Sequence, residues 1–272
     1  MISRAWKKYR FLFLRRVTQI SIILLYLAGN VWGWSFLQGN LSSSLLLGTI
    51  PLSDPYAVLQ MFFAGAVVSS NLIVGALIIA FFYALLGGRI FCSWVCPINI
   101  ITDFSAYIRR KLAFNTVQKK QPATRNIKYW VLGLSLIISF ALNITAFEFI
   151  SPISMVHRGL IFGLGFGLSA MIVIFLFDLF VLKNGWCGHI CPLGGFYSII
   201  GKFSLIRVDH NSDNCTNCMK CKEVCPEAQV LWMVNKESVQ VLNTDCTNCG
   251  RCIEVCDDDA LNFSIKKLVK DN

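Results

Sequence analysis

Histidine is scarce in this chain: His157, His189 and His210 are the only three among 272 residues. None lies inside an apolar run long enough to cross a bilayer. Haem iron is commonly held by axial histidine, so no intramembrane haem is expected of this chain alone. Acidic residues are nearly missing from the first part. Residues 1–202 carry 17 Lys and Arg against 4 Asp and Glu, whereas residues 203–272 carry 8 against 11. The formal charge of +10 therefore belongs to the first part. Such an excess could suit nucleic acid, but the cations flank apolar runs and form no patch with base-stacking aromatics. No nucleic-acid partner is expected. Segment 38–60 lacks Lys and Arg altogether.

What is present is apolar. Hydrophobic residues make up 55% of the chain and mean hydropathy is +0.59, above the roughly 45–50% usual for a soluble domain. Runs at 17–37, 62–86, 129–150 and 160–182 each approach the roughly 20 residues needed to cross about 30 Å of hydrocarbon. Arg4, Lys7, Lys8, Arg10, Arg15 and Arg16 precede the first run. A cleaved signal peptide has an apolar region of about 7–15 residues. This run is longer and continues through Trp32, Trp34 and Phe36, so it reads as an anchor. The 87–128 segment holds eight Lys and Arg, and 151–159 holds Arg158 alone. Cations stay on the cytoplasmic side. The expectation is a multi-pass protein of the bacterial inner membrane with both termini in the cytoplasm.

The apolar part reads as a repeat. Gly88-Arg-Ile-Phe-Cys92-Ser-Trp-Val-Cys96-Pro97 follows the second run, and Gly185-Trp-Cys187-Gly-His-Ile-Cys191-Pro192 follows the fourth. The expected fold is a mainly α membrane protein, with four transmembrane helices in two parallel repeats over residues 1–202. A C-terminal cytoplasmic α+β domain occupies 203–272, joined through 201–208. Within it, 230–234, 239–242 and 261–265 read as strands, and 226–229 and 257–260 as helical turns.

All twelve cysteines fall in ordered motifs. Cys215, Cys218, Cys221 and Cys225 form one Cys-x2-Cys-x2-Cys-x3-Cys run, and Cys246, Cys249, Cys252 and Cys256 form another 31 residues later. Three closely spaced thiolates wrap one cubane while the fourth, a helical turn on, reaches the other. Cys215, Cys218, Cys221 and Cys256 are therefore assigned to one [4Fe–4S] cluster, and Cys246, Cys249, Cys252 and Cys225 to the second. Zinc would call for closed sets of four, usually paired as Cys-x2-Cys. A disulfide scaffold would need an oxidising compartment. Pro226 follows the first run, whereas Asp257 stands at the matching place of the second.

The Cys-x3-Cys-Pro pairs, Cys92 with Cys96 and Cys187 with Cys191, admit three uses: a four-thiolate metal site, redox-active dithiols, or a thiol-lined contact with the cluster domain. Buried packing is the bland alternative. His189 sits inside one motif as a ligand, donor or bystander, and His210 reads as a surface residue. Charges within membrane segments are costly and are functional candidates. Glu148, His157 and Arg158, with Asp54 on the same side, form a candidate quinol site, since quinol oxidation needs a proton acceptor beside an apolar slot. Asp178 reads as snorkelling toward the cytoplasm or pairing with Lys183.

Two Cys-x3-Cys-Pro motifs after the second and fourth runs, and then a two-cluster ferredoxin domain, resemble the NapH family. This is the membrane ferredoxin-type subunit of periplasmic nitrate reductase systems. The resemblance implies a menaquinol dehydrogenase component working with a NapG-like periplasmic iron–sulfur protein, with a membrane-anchored cytochrome as a further partner. Electrons would pass to periplasmic nitrate reductase. The alternative is an assembly or maturation factor that reduces copper or a thiol for a metalloenzyme.

Overall fold

Left-handed backbone at a few positions interrupts the apolar runs and sets the helix plan. The computed structural model describes residues 2–112, 125–163 and 165–267. Residues 113–124 of the expected basic loop, and residue 164 of the fourth run, lie outside them. Helix α1 (Ile2–Val31) carries the first run as far as Val31, and 32–37 lie outside it, past left-handed Gly33 at φ +70°. An antiparallel meander follows in the order β1 (Leu37–Gly39), β2 (Ser43–Leu46), β3 (Ile50–Ser53), with Leu37 opposite Leu46 and Ser43 opposite Ser53. Asp54 then accepts the Tyr56 amide and Pro55 opens helix α2 (Pro55–Phe63), a favoured N-terminal pairing.

The run 62–86 is not one helix. The chain leaves α2 through Gly65, at φ +69°, and restarts as α3 (Ser70–Leu86). Helices α4 (Ile90–Trp94) and α5 (Ile98–Lys111) flank the first Cys-x3-Cys-Pro motif. Helix α6 (Ile127–Leu142) stops at left-handed Asn143 before α7 (Ala146–Ile150). Helix α8 (Pro152–Phe162) is parted from α9 (Gly165–Leu176) at Gly163, φ +118°. Two π-helical turns, Phe177–Val181 and Trp186–Ile190, precede α10 (Pro192–Ile200). The last part runs β4 (Ile206–His210), α11 (Lys220–Val224), a 3₁₀ turn (Ala228–Leu231), α12 (Arg251–Glu254) and β5 (Leu261–Ile265).

Among the described residues one helix, Tyr9–Val31, is long and apolar enough to cross a membrane by length and composition. Ser70–Leu86, Ile127–Leu142 and Gly167–Val181 are apolar but shorter. The 17 residues of α3 rise about 25 Å at 1.5 Å each.

The chain packs as two units, each drawn from separated stretches. One comprises Met1–Thr18, Phe82–Val95 and Tyr197–Asn272. Its sheet is the antiparallel pair β4–β5, from Ile206 opposite Ile265 to His210 opposite Leu261. Val208, Leu261, Val230, Leu231, Met233, Val234 and Ile253 form one core with Cys221, Cys225 and Cys252. Phe11 adds an edge-on contact to Phe263 at 5.4 Å, and the Leu12 amide donates to the Glu254 carboxylate at 2.8 Å. The expected strand at 230–234 is instead a 3₁₀ turn and loop. Val230, Leu231, Met233 and Val234 are all buried, and a strand would turn alternate residues outward. At 239–242 only the bridge from Gln240 to Asp209 forms. The strand at 261–265 is present, and its partner β4 falls partly on the stretch read as a linker.

The other unit, Gln19–Phe81 with Cys96–Phe196, is polar inside and apolar outside. Gln60, Thr102, Arg109, Lys128, Ser139 and Asp178 are buried, while Leu77, Phe81, Trp130, Ile137, Phe140 and Val173 are each more than 60% exposed. Arg109 and Lys128, two of the eight cations of the 87–128 segment, thus lie inside.

Gly88 approaches backbone too closely for any side chain: an added Cβ would lie 2.0 Å from the Tyr197 carbonyl oxygen and 2.4 Å from the Gly201 nitrogen. Gly88→Ala should destabilise its unit by about 1–3 kcal/mol. Limited proteolysis should cut residues 197–267 faster in this variant, and leave Gly133→Ala, where nothing lies within 4 Å, at the wild-type rate.

Candidate functional site

Each Cys-x2-Cys-x2-Cys run curls through two left-handed residues. These are Asn217 and Met219 (φ +59° each) in the first, and Asn248 (φ +47°) and Gly250 (φ +75°) in the second. Such turns direct successive amides inward and make an anion-binding concavity. A Cβ on Gly250 would strike the Phe11 ring at 2.5 Å, so the second loop needs glycine where the first accepts Met219. Helix α11 then carries Cys221 and ends at Cys225, and α12 carries Cys252 just before Cys256. The two short helices pack on one another.

This arrangement leaves two cavities. One is lined by Cys246, Cys249 and Cys252 with Cys225, and also by Val208, Glu227 and Arg251. The other is lined by Cys215, Cys218 and Cys221 with Cys256, and also by His210 and Asp258. Each cavity therefore takes three sulfurs from one run and the fourth from the other. Burial pushes the Cys246 thiol up to about 11, although Arg207 and Arg89 pull the other way, and holds Cys252 well above its ordinary value. Thiols so enclosed resist ionising unless a cation replaces the proton. The donor set, the two hollows and the inward amides all fit iron–sulfur clusters.

The first Cys-x3-Cys-Pro segment clasps one of the cysteine loops. Arg89, only 1% exposed, donates to Glu227 at 2.8 Å and to the Asp245 carbonyl at 3.0 Å. Ser93 donates to the Thr247 carbonyl at 2.7 Å, and the Trp94 indole to the Asn248 carbonyl at 3.1 Å. Cys92, on α4 between Arg89 and Ser93, is half-buried, whereas Cys96 is buried. Nothing in the sequence marked Arg89 as more than a loop cation; the glutamate two residues past Cys225 was the available signal.

The second motif is held differently. Cys187 is half-buried in a π-helical turn, a feature often found at functional sites, and Cys191 is buried. Asp178 does not snorkel to the surface. It is fully buried, accepts the Trp186 amide at 3.0 Å, and its own carbonyl receives the Arg109 guanidinium at 3.0 Å. His210, read as a surface residue, is 2% exposed, and its Nδ1 meets the Glu237 carbonyl at 2.9 Å. A carbonyl only accepts, so Nδ1 carries the proton.

Of the candidate quinol residues, Glu148 accepts the Ser154 hydroxyl at 2.8 Å and also that of Ser42. Ser154 and His157 lie three apart on α8 and so share a face. His157 is 1% exposed, edge-on to Tyr26 at 4.8 Å. Burial, with the Arg158 charge, depresses its imidazole to about 4. It is neutral at pH 7. Arg158 is exposed, and Asp54 is committed to capping α2.

Comparison with known proteins gives the same chemistry. A family described as "4Fe-4S binding domain" matches residues 71–115 and again 164–208, once over each Cys-x3-Cys-Pro motif. One described as "4Fe-4S dicluster domain" matches 207–257. The ferredoxin-type protein NapH of Haemophilus influenzae is 44% identical over 83% of this chain and 78% of its own length. NapH of Escherichia coli is 42% identical over 83% and 78%. The methylamine utilization ferredoxin-type protein MauN of Methylorubrum extorquens is 44% identical over 80% and 75%. No solved structure matches.

Removing one partner of a buried ion pair strands the other charge. Arg89→Ala should cost about 3–5 kcal/mol through the abandoned Glu227. Chemical denaturation of the purified protein should show that loss, and the apolar pair Arg89→Met with Glu227→Leu should recover most of it.

Proposed function

The chain belongs to the family of NapH and MauN ferredoxin-type proteins, and from that premise we propose that it is a membrane electron-transfer subunit that oxidises quinol. An iron–sulfur electron-transfer role is common to the family. The observation that carries the fuller reading is the lining of the two cavities. In this reading Cys215, Cys218, Cys221 and Cys256 hold one [4Fe–4S] cluster, and Cys246, Cys249, Cys252 and Cys225 hold a second. Bound there, such clusters supply one-electron transfer. The chain itself provides the thiolates, the inward amides of the loops and the buried cations beside them.

The membrane reading is supported by the inverted polarity of the second unit. Large apolar side chains stand outward on α3, α6 and α9 while charges and amides are interior, as a lipid surroundings would select. Four passes, with both termini and the cysteine core on the cytoplasmic side, follow from the loop charges. Quinol is placed at Glu148, whose carboxylate takes the proton, beside the neutral His157. The proposed partners are a NapG-like periplasmic iron–sulfur protein and a membrane-anchored cytochrome, with periplasmic nitrate reductase as final acceptor. The clusters and that acceptor then lie on opposite sides of about 30 Å of hydrocarbon, and quinol itself is the carrier that bridges them.

A second reading rests on the four remaining cysteines. Thiols at Cys92, Cys96, Cys187 and Cys191 could reduce copper or a partner's disulfide, which would make the chain a maturation factor. NapH and MauN relatives match at the same level, so similarity alone does not select an acceptor.

Two measurements decide these points. Anaerobically purified protein should contain about eight irons, the content of two cubanes. Cys225→Ser should then disturb the EPR signal of the site built on Cys246 and spare that of Cys218; the opposite pattern refutes the crossed ligation. In liposomes, a menaquinol analogue should reduce the iron–sulfur chromophore, and Glu148→Gln should slow that reduction by at least about tenfold if Glu148 is the proton acceptor. Reduction by thiols or metal ions but not by quinol would favour the maturation role.

A further inference from the structure

Buried charges are normally compensated by an opposite charge, and Arg207 is an exception. It lies on β4 at 4% exposure. Its guanidinium donates to three carbonyl oxygens, those of Gly201 at 2.7 Å, Ser204 at 3.2 Å and Leu242 at 3.4 Å. Among the described residues no carboxylate pairs with it. The charge it acts on is that of the Cys246 sulfur. The neighbouring buried cation, Arg89, differs in this respect, since Glu227 balances it at 2.8 Å. Arg207 is thus a full positive charge, oriented by three neutral dipoles, on the strand residue before Val208, which lines one cysteine cavity.

The other cavity has the opposite charge. Asp258 lines it, and Asp257 adjoins Cys256. The nearby cation, Lys220, is bound to Asp257 at 2.9 Å, and both side chains are more than half exposed. Water screens that pair far more than it screens a buried guanidinium.

We propose that Arg207 is the built-in countercharge of the Cys225, Cys246, Cys249 and Cys252 site, and that it makes this site the more easily reduced of the two. The inference rests on the two-cluster reading above. Reduction adds one electron, and hence one negative charge, to a group that is already anionic through its four thiolates. A fixed cation in a low-dielectric surrounding stabilises that added charge, whereas Asp258 opposes it at the other site. The chain would then hold two chemically similar centres in a set order, with electrons resting at the one beside Arg207.

The test is an EPR-monitored potentiometric titration of the full-length protein, with dithionite as reductant, at about pH 8, above the ordinary imidazole range. Cys218→Ser and Cys225→Ser variants assign the two signals. The wild type should show two potentials, the higher belonging to the Cys246 site. Arg207→Gln should lower that potential alone, and Arg207→Lys, which keeps the charge, should stay near the wild-type value. Equal potentials, the reverse order, or equal shifts of both signals in Arg207→Gln would overturn the proposal. Should Arg207→Gln fail to retain its iron, the order of the two wild-type potentials decides. An iron content of about four would instead refute the two-cluster reading itself, so the two failures remain distinguishable.

Discussion

A guanidinium with no water around it must find its counterpart in protein, and Arg89 finds Glu227 at 2.8 Å. Much of the first unit depends on that pair. It ties the segment before α4 to the chain just past Cys225, and the same guanidinium nitrogen reaches the Asp245 carbonyl beside Cys246. Ser93 and Trp94 extend the clasp over the next carbonyls of the loop. Burying an ion pair gives little stability over a well-packed apolar pair, but it gives register, because only one arrangement satisfies both charges. The second motif has Trp186 after its glycine where the first has Arg89, and its anchor is the Asp178 carboxylate. Two similar stretches of sequence thus do different structural work.

The second unit inverts the polarity of a soluble core. Gln60 accepts the Phe147 amide at 2.9 Å, and Ser139 accepts that of Ala146 at 3.1 Å, each stitching a break in the apolar runs. Where Asn143 interrupts the helix, backbone groups lose their helical partners. Buried side chains then take over, as irregular backbone in apolar surroundings requires.

How much of this was legible in the sequence depends on the kind of signal. Cysteine spacing is local and stoichiometric, so it yields an expected grouping of three with one, and each cavity is lined by such a set. Apolar runs announced helices but not their breaks, because Asn143 and Gly65 look ordinary until their φ values are known. The run from Val230 to Val234 looked like a strand, since β-branched composition is the same whether a segment pairs with a neighbour or fills a core from all sides. The burial of Arg89 and His210 could not be read. Their partners, Glu227 and Glu237, lie 138 and 27 positions away, and nothing in single-sequence patterning carries that distance.

The unit holding the cysteines begins with Met1–Thr18 and does not close until β5 has paired with β4. Arg89 waits 138 residues for Glu227, which at about 5–20 residues per second is on the order of ten seconds of synthesis. The other unit, by contrast, is complete once residue 196 has been made. Translation therefore imposes a schedule: the apolar part can settle first, and the cysteine loops reach their final shape only after residue 265 has emerged. Iron and sulfide must be delivered to a chain whose remainder is already in place, and a chain that stalls late in synthesis carries a completed scaffold with no site to load.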